Sequence, residues 1–380
     1  MRITIRRIST IICVAVCLFS MTGCFFNPFK RSSGKSKSDN GLTYKEAADI
    51  LLKEYSVQDY SGTVPDGMEI KYVAVKEVYM DNNKNRRDYE YDYDKAGRQT
   101  VLIDYFHACN TRETLTFNDD GTLAKKEYKK LTKDYGSHGY DYVAEYKYNE
   151  NKQLISYTVT EEDHPVKTYN FEYENGHLIS GDVFDKNQKY DYCTSGLYYD
   201  YCVKVRDSFN YGYEVYVVKR TYSDDTFERV LTEMNDDNRV TYFEYDGDTL
   251  TGWYWIDEWG KTIKWDANDH LVEEIDKDGS LLEKSEYNEH KDRTLYVRYE
   301  DGELVDKVTS VFEYDGKGNK LSETSTFWYV HEGKEDTFIS VTKYDYDERG
   351  LLRAEVNMID DWFSNMTVYA YKAIIVPAEY

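Results

Sequence analysis

The chain has 380 residues, 71 of them Asp or Glu against 48 Lys or Arg, for a formal net charge of −23. Such a surface repels phosphate backbones and anionic lipid, which speaks against a nucleic-acid partner and against broad contact with a membrane face. It is not a disordered acidic tail either, because 16% of the residues are aromatic, 40 of them tyrosine, and only four are proline.

The first 23 residues read as an export signal. Arg2, Arg6 and Arg7 form a basic start, and the apolar run Ile8 to Ser20 that follows is too short for a permanent bilayer-spanning helix. Met21-Thr22-Gly23-Cys24 resembles the lipobox of bacterial lipoproteins. That resemblance implies cleavage before Cys24, a diacylglycerol on its thiol, and anchoring on the extracytoplasmic face of the cell membrane. Removal of the three arginines would bring the net charge to about −26. Residues 24–41 are rich in Ser, Lys and Gly without apolar periodicity, and read as a flexible tether.

Residues 42–58 read as a short amphipathic helix. Thr43 and Glu46 form a capping box, and Ala47, Ile50, Leu51 and Tyr55 recur on one face. The expected role of the helix is to cover an open end of the sheet that follows.

Residues 70–380 read as one β-hairpin repeat domain. A small unit recurs about ten times: an aromatic residue, then Asp or Asn, then two or three polar residues with Gly or Asn, then often Leu. Copies include Tyr93-Asp94-Lys95-Ala96-Gly97-Arg98, Phe117-Asn118-Asp119-Asp120-Gly121-Thr122-Leu123, Tyr314-Asp315-Gly316-Lys317-Gly318-Asn319-Lys320-Leu321 and Tyr346-Asp347-Glu348-Arg349-Gly350-Leu351-Leu352. Asp, Asn and Gly suit a strand reversal because they tolerate positive φ or bond the turn backbone. The flanks alternate with period two, as in Tyr89-Glu90-Tyr91-Asp92-Tyr93, so one strand face is expected to be aromatic and the other charged. The reading is all-β: a repetitive antiparallel β-hairpin meander behind a short N-terminal helix.

These copies resemble the YD repeats of Rhs-type and teneurin-like proteins over roughly residues 89–352. The resemblance implies a long, spiralling sheet of hairpins. Gly-Arg follows the turn fully only at Gly97-Arg98, the length looks short for a closed shell, and no toxin-like segment follows the repeats. The likeness therefore bears on architecture more than on cargo delivery.

No G-x-S-x-G, H-E-x-x-H, P-loop or Cys-x-x-Cys occurs, so the expectation is a protein that is not an enzyme and needs no cofactor. A glycan-active enzyme stands as a distant third reading, since with this many carboxylates no catalytic pair can be nominated. Asp276-Lys277-Asp278-Gly279-Ser280 fits either a repeat turn or the opening half of a calcium loop, with Glu283 and Glu286 nearby. Cys193 and Cys202 flank an apparent hairpin and fit either a disulfide or two thiols, leaving Cys109 unpaired.

Trp253, Trp255, Trp259 and Trp265 concentrate four of the six tryptophans, with Tyr254 among them and Asp257, Glu258 and Asp266 beside them. Planar rings next to hydroxyl-binding acids suit stacking on sugar faces; alternation into an aromatic layer explains the same spacing. Two function classes follow. One is a surface-anchored lipoprotein whose repeats bind carbohydrate, cell wall or a surface protein, and the other is a structural spacer without a ligand.

Overall fold

The computed structural model describes residues 41–105, 110–132, 141–161, 164–182, 198–208, 212–223, 227–235, 239–331 and 333–378. The signal, Cys24, nearly all of the tether, Cys109 and Cys193 lie outside the described residues.

Helix α1 (Tyr44–Leu51) opens the described fold. Thr43 Oγ1 accepts from the Glu46 N–H at 3.3 Å, while the Glu46 carboxylate accepts from the Thr43 N–H at 2.9 Å, which is the capping box. The helix is shorter than residues 42–58, because Ser56–Gln58 leaves it to form strand β1. Ala47 and Leu51 are fully buried, but Ile50 is exposed, so the buried stripe is narrower than the periodicity suggests.

A first arm of sheet contains β2 (Met68–Asp81), β3 (Arg86–Tyr93), β4 (Gln99–Tyr105), β5 (Thr111–Phe117), β6 (Leu123–Lys130), β7 (Tyr142–Tyr148), β8 (Leu154–Glu161), β9 (Lys167–Glu174) and β10 (His177–Gly181). A second arm contains β11 (Tyr199–Ser208), β12 (Gly212–Tyr222), β13 (Val230–Met234), β14 (Val240–Asp246), β15 (Thr249–Ile256), β16 (Thr262–Asp266) and β17 (Leu271–Ile275). It continues through β18 (Leu281–Tyr287), β19 (Arg293–Glu300), β20 (Glu303–Tyr314), β21 (Lys320–His331), β22 (Lys334–Tyr346), β23 (Leu352–Ile359) and β24 (Trp362–Pro377). Within each arm every strand pairs antiparallel with its sequence neighbour, as expected of a meander. The last strand also pairs along the first arm, from Met68↔Pro377 to Asp81↔Asn365. Those long-range bonds roll the sheet into a nearly closed barrel.

The predicted turns carry the hairpins. In the copy at Asp315, the carboxylate accepts the N–H groups of Lys317 and Asn319 at 2.8 and 2.9 Å, and Gly318 takes φ +85°. The copies at Asp94 and Asp347 repeat these bonds, and register shifts beside the turns mark the accompanying bulges. Asp276 to Ser280 and Asp301-Gly302 both lie between strands, as turns should.

A second regularity is not evident in the motif. The tyrosine before a turn donates its hydroxyl to a main-chain carbonyl one hairpin back: Tyr93 to Ala74, Tyr173 to Leu154, Tyr245 to Val230, Tyr287 to Leu271 and Tyr346 to Lys320; Tyr371, within β24, bonds the Leu352 carbonyl in the same way. These bonds span 2.9 to 3.1 Å and tie each hairpin to its predecessor.

Two cores hold the roll. The first joins buried Tyr128, Tyr142, Ala144, Tyr146, Tyr157, Val159, Phe171 and Leu178, from β6 to β10, to Val215 and Val217 of β12. The β11–β12 hairpin thus lies with one face on the first arm. No ladder joins β10 to β11 among the described residues; His177 Nδ1 meets Asp200 Oδ2 across that gap at 2.6 Å. The second core joins Ala47 and Leu51 of α1 to Val78, Met80, Ala354, Val356, Phe363, Met366 and Val368. Helix α1 therefore lies on the outer face of the β2–β24 seam rather than over an open sheet end, because its buried stripe meets apolar side chains that these strands turn outward.

Candidate functional site

Cross-strand register assigns the inner face residue by residue. Trp253 opposes Trp265, Trp255 opposes Ile263, and Ile263 opposes Glu274. The same face continues strand by strand to Tyr344, Glu355, Thr367, Tyr369, Glu77 and Tyr89. Aromatic and charged residues share it, contrary to the expected division into an aromatic and a charged face. The charges are accommodated in pairs, Arg87 with Asp104, Lys261 with Glu274 at 2.8 Å, and Lys320 with Asp292 at 2.5 Å.

Three of the four candidate tryptophans come together on β15 and β16. The rings of Trp253 and Trp265 are 4.0 Å apart and nearly parallel, at 10°; Trp255 and Trp265 are 6.2 Å apart at 14°. The Arg239 guanidinium lies 4.3 Å over Trp255, and Trp253 Nε1 donates to Asp269 at 2.9 Å. All three indoles are half-buried. Trp259 stands apart in the Asp257–Lys261 turn and is 74% exposed, so it is the member with a ring free to meet a ligand. Asp257 and Asp266 each accept two N–H bonds from their own turns, which leaves exposed Glu258 as the neighbouring acid without that duty.

The remaining candidates behave as local structure. Asp278 accepts from Ser280 through both its N–H and its hydroxyl, at 2.9 and 2.7 Å. Among the described residues, no group of three or more His, Cys, Asp or Glu gathers as a metal set. Cys202, on the inner side of β11, is a free thiol whose pKa is raised by burial; its candidate partner Cys193 is outside the described residues.

Sequence reasoning missed an acidic, tyrosine-rich wall at the barrel seam. Across neighbouring strands run Tyr344 on β22, Glu355 on β23, Thr367 and Tyr369 on β24, Glu77 on β2, and Tyr89 and Tyr91 on β3. Burial raises the Glu355 carboxyl to about 7, with nearby Glu77 adding to the rise and Lys320 opposing it. Glu77 is also raised by burial, although the Tyr91 hydroxyl donates to it at 3.3 Å. Among the described residues Glu355 has neither a hydrogen bond nor an ion pair. Nothing in Ala354-Glu355-Val356 announces this, since an acid between apolar residues on a strand normally faces water.

No family model matches the chain, and no curated protein matches it. Among solved structures, the TcdB2-TccC3-Cdc42 and TcdB2-TccC3 crystal structures each match at 10% identity and TM-score 0.28, over 78% of this chain and 19% of theirs. A porin-like protein from Bacteroides uniformis matches at 11% identity and TM-score 0.27, over 78% of this chain and 96% of its own. This chain thus spans 19% of the length of the first two. At such scores the likeness carries no functional argument.

Proposed function

We propose that this chain is a lipid-anchored, extracytoplasmic binding module whose hairpin repeats present aromatic rings to a carbohydrate or cell-wall ligand. The supporting observation is the Trp253–Trp265–Trp255 stack with the exposed Trp259 ring at the nearby strand end. Ring planes on a hydrogen-bonded sheet lose little freedom on binding and suit the apolar faces of sugars. The net charge of −23 disfavours phosphate or sulfate esters, so the ligand is neutral or basic. No catalytic step is assigned. Anchoring rests on Cys24 and on the signal that precedes it.

The test uses the full-length protein in detergent on an array of neutral, basic and sulfated glycans. Selective binding is expected to neutral or amino sugars, and Trp259→Ala should weaken it at least tenfold without moving the thermal midpoint. Trp255→Ala should lower the midpoint, because that ring lies between Arg239 and Trp265. In cells, Cys24→Ser should leave the membrane fraction or remain unprocessed; anchoring like the wild type would remove the lipid assignment. A second reading, a spacer without a ligand, is favoured by one observation: the indole faces already contact one another and Arg239. A blank array would favour it.

A further inference from the structure

We infer that the barrel end at which the described chain begins is a membrane-facing surface, whose exposed rings Trp259 and Trp362 rest in the headgroup layer of a zwitterionic bilayer. The inference rests on the lipid anchoring proposed above and adds a contact that the anchor itself does not require.

Topology gathers these residues at one end. Neighbouring strands alternate in direction, so the turns that follow β2, β15 and β23 all lie at the same end of the barrel. The described chain enters there. The Leu42 N–H donates to the Asn82 carbonyl in the β2–β3 turn, and the Asn82 N–H donates to the Ser364 carbonyl near the start of β24, both at 2.8 Å. Trp259 stands on the β15–β16 turn and is 74% exposed; Trp362 stands at the β23–β24 tip opposite Ile359 and is 59% exposed. Leu131, Val166 and Ile256 are exposed at the same end, joined by Tyr44 in the first turn of α1. Among the described residues the opposite end exposes no tryptophan, and its large apolar side chains Tyr60, Ile70, Leu231 and Leu321 reach at most 42%.

Spacing and chain length identify the partner. The turns of Trp259 and Trp362 are separated by eight strands, on the order of 40 Å along the wall, too far for one small ligand to meet both. A bilayer is an extended surface and can. Indole and phenol rings favour the membrane–water interface because the ring leaves water while its N–H or O–H stays hydrated. Residues 24–41 alone separate Cys24 from Leu42, and a Ser- and Gly-rich chain of that length spans on the order of 25 Å. An anchor on Cys24 therefore keeps this end within reach of the bilayer, where several shallow insertions, each weak alone, act together. Exposed Glu258, Asp360 and Asp361 stand at the same tips and oppose anionic headgroups, so the matching surface is zwitterionic.

The test reconstitutes the full-length protein in phosphatidylcholine vesicles whose acyl chains are brominated close to the headgroup, and reads flotation together with tryptophan emission against unbrominated vesicles. The protein should float and its emission should be quenched. Trp259→Phe and Trp362→Phe should each remove roughly half of the quenching, and the double variant most of it. Replacing part of the phosphatidylcholine by phosphatidylglycerol should lower the quenching, and a rise would overturn the zwitterionic assignment. Flotation without quenching, or undiminished quenching in the double variant, would overturn the proposal and leave the anchor standing. Failure to float would remove the anchor and this proposal with it. Because Trp259 is also the ring offered to a glycan, Trp362→Ala separates the two readings: it should reduce quenching and leave glycan binding as in the wild type. Lost glycan binding in Trp362→Ala would assign this end to the glycan site instead.

Discussion

Glu355 shows how one side chain can make the fold respond to pH. The unfolded carboxyl titrates near 4.5 and the folded one at about 7, chiefly because burial disfavours the charge. The folded state therefore holds the proton more tightly. Its contribution to stability is complete below about pH 4.5 and is lost as pH rises through about 7, a difference on the order of 3 kcal/mol. Glu77 and Glu283, both raised by burial, act in the same direction. Replacing Glu355 by glutamine removes the titration while keeping shape. Thermal melts should show the variant clearly more stable than wild type at pH 8 and equal to it at pH 4.5. Equal midpoints at pH 8 would show that the wall is better hydrated than its packing indicates.

At the scale of the element, the hairpin turn separates conformational from packing effects. Gly316 and Gly318 occupy one turn, and a Cβ added at either meets nothing within 4 Å, yet only Gly318 has a positive φ, +85°. Gly318→Ala should cost about 1 kcal/mol through backbone strain alone. Gly316→Ala should be neutral or mildly stabilising, because it restricts only the unfolded chain. Urea midpoints of the two variants check this, and equal losses would contradict the backbone account. Aspartate-led turns are legible in sequence because their bonds are local, within four residues. The tyrosine bonds to carbonyls 15 to 26 residues back are not, since a recurring tyrosine before a turn reads equally well as a core ring.

At the scale of the molecule, β24 joins what the repeats cannot join by themselves. It pairs with β23, with β2, and in parallel with β1 through Ser56↔Ala370 to Gln58↔Lys372, while its outward residues Met366 and Val368 seat α1. Met366 is 1% exposed, so Met366→Ala leaves a cavity where helix and seam meet and should cost about 3 kcal/mol. Hydrogen exchange should then accelerate in α1 and β2 before it does in β16 to β19. Uniform acceleration would show instead that the barrel unfolds as one unit.

The sequence by itself determined the strand class, the antiparallel order, the turn positions and the helix cap, because period-two alternation and turn chemistry act between near neighbours. It also located the tryptophan tract, though not its division into three stacked indoles and one exposed ring, which depends on the pairing of β15 with β16. Only the tertiary structure decided which strand face turns inward, and with it the burial of Glu355. That choice follows from the β2–β24 ladder, whose partners lie almost 300 residues apart and share no local signal. A glutamate on a strand is a solvated acid or an uncompensated inner one according to the direction in which the sheet rolls, and that direction is set by long-range pairing and by the packing of α1 on the outer side.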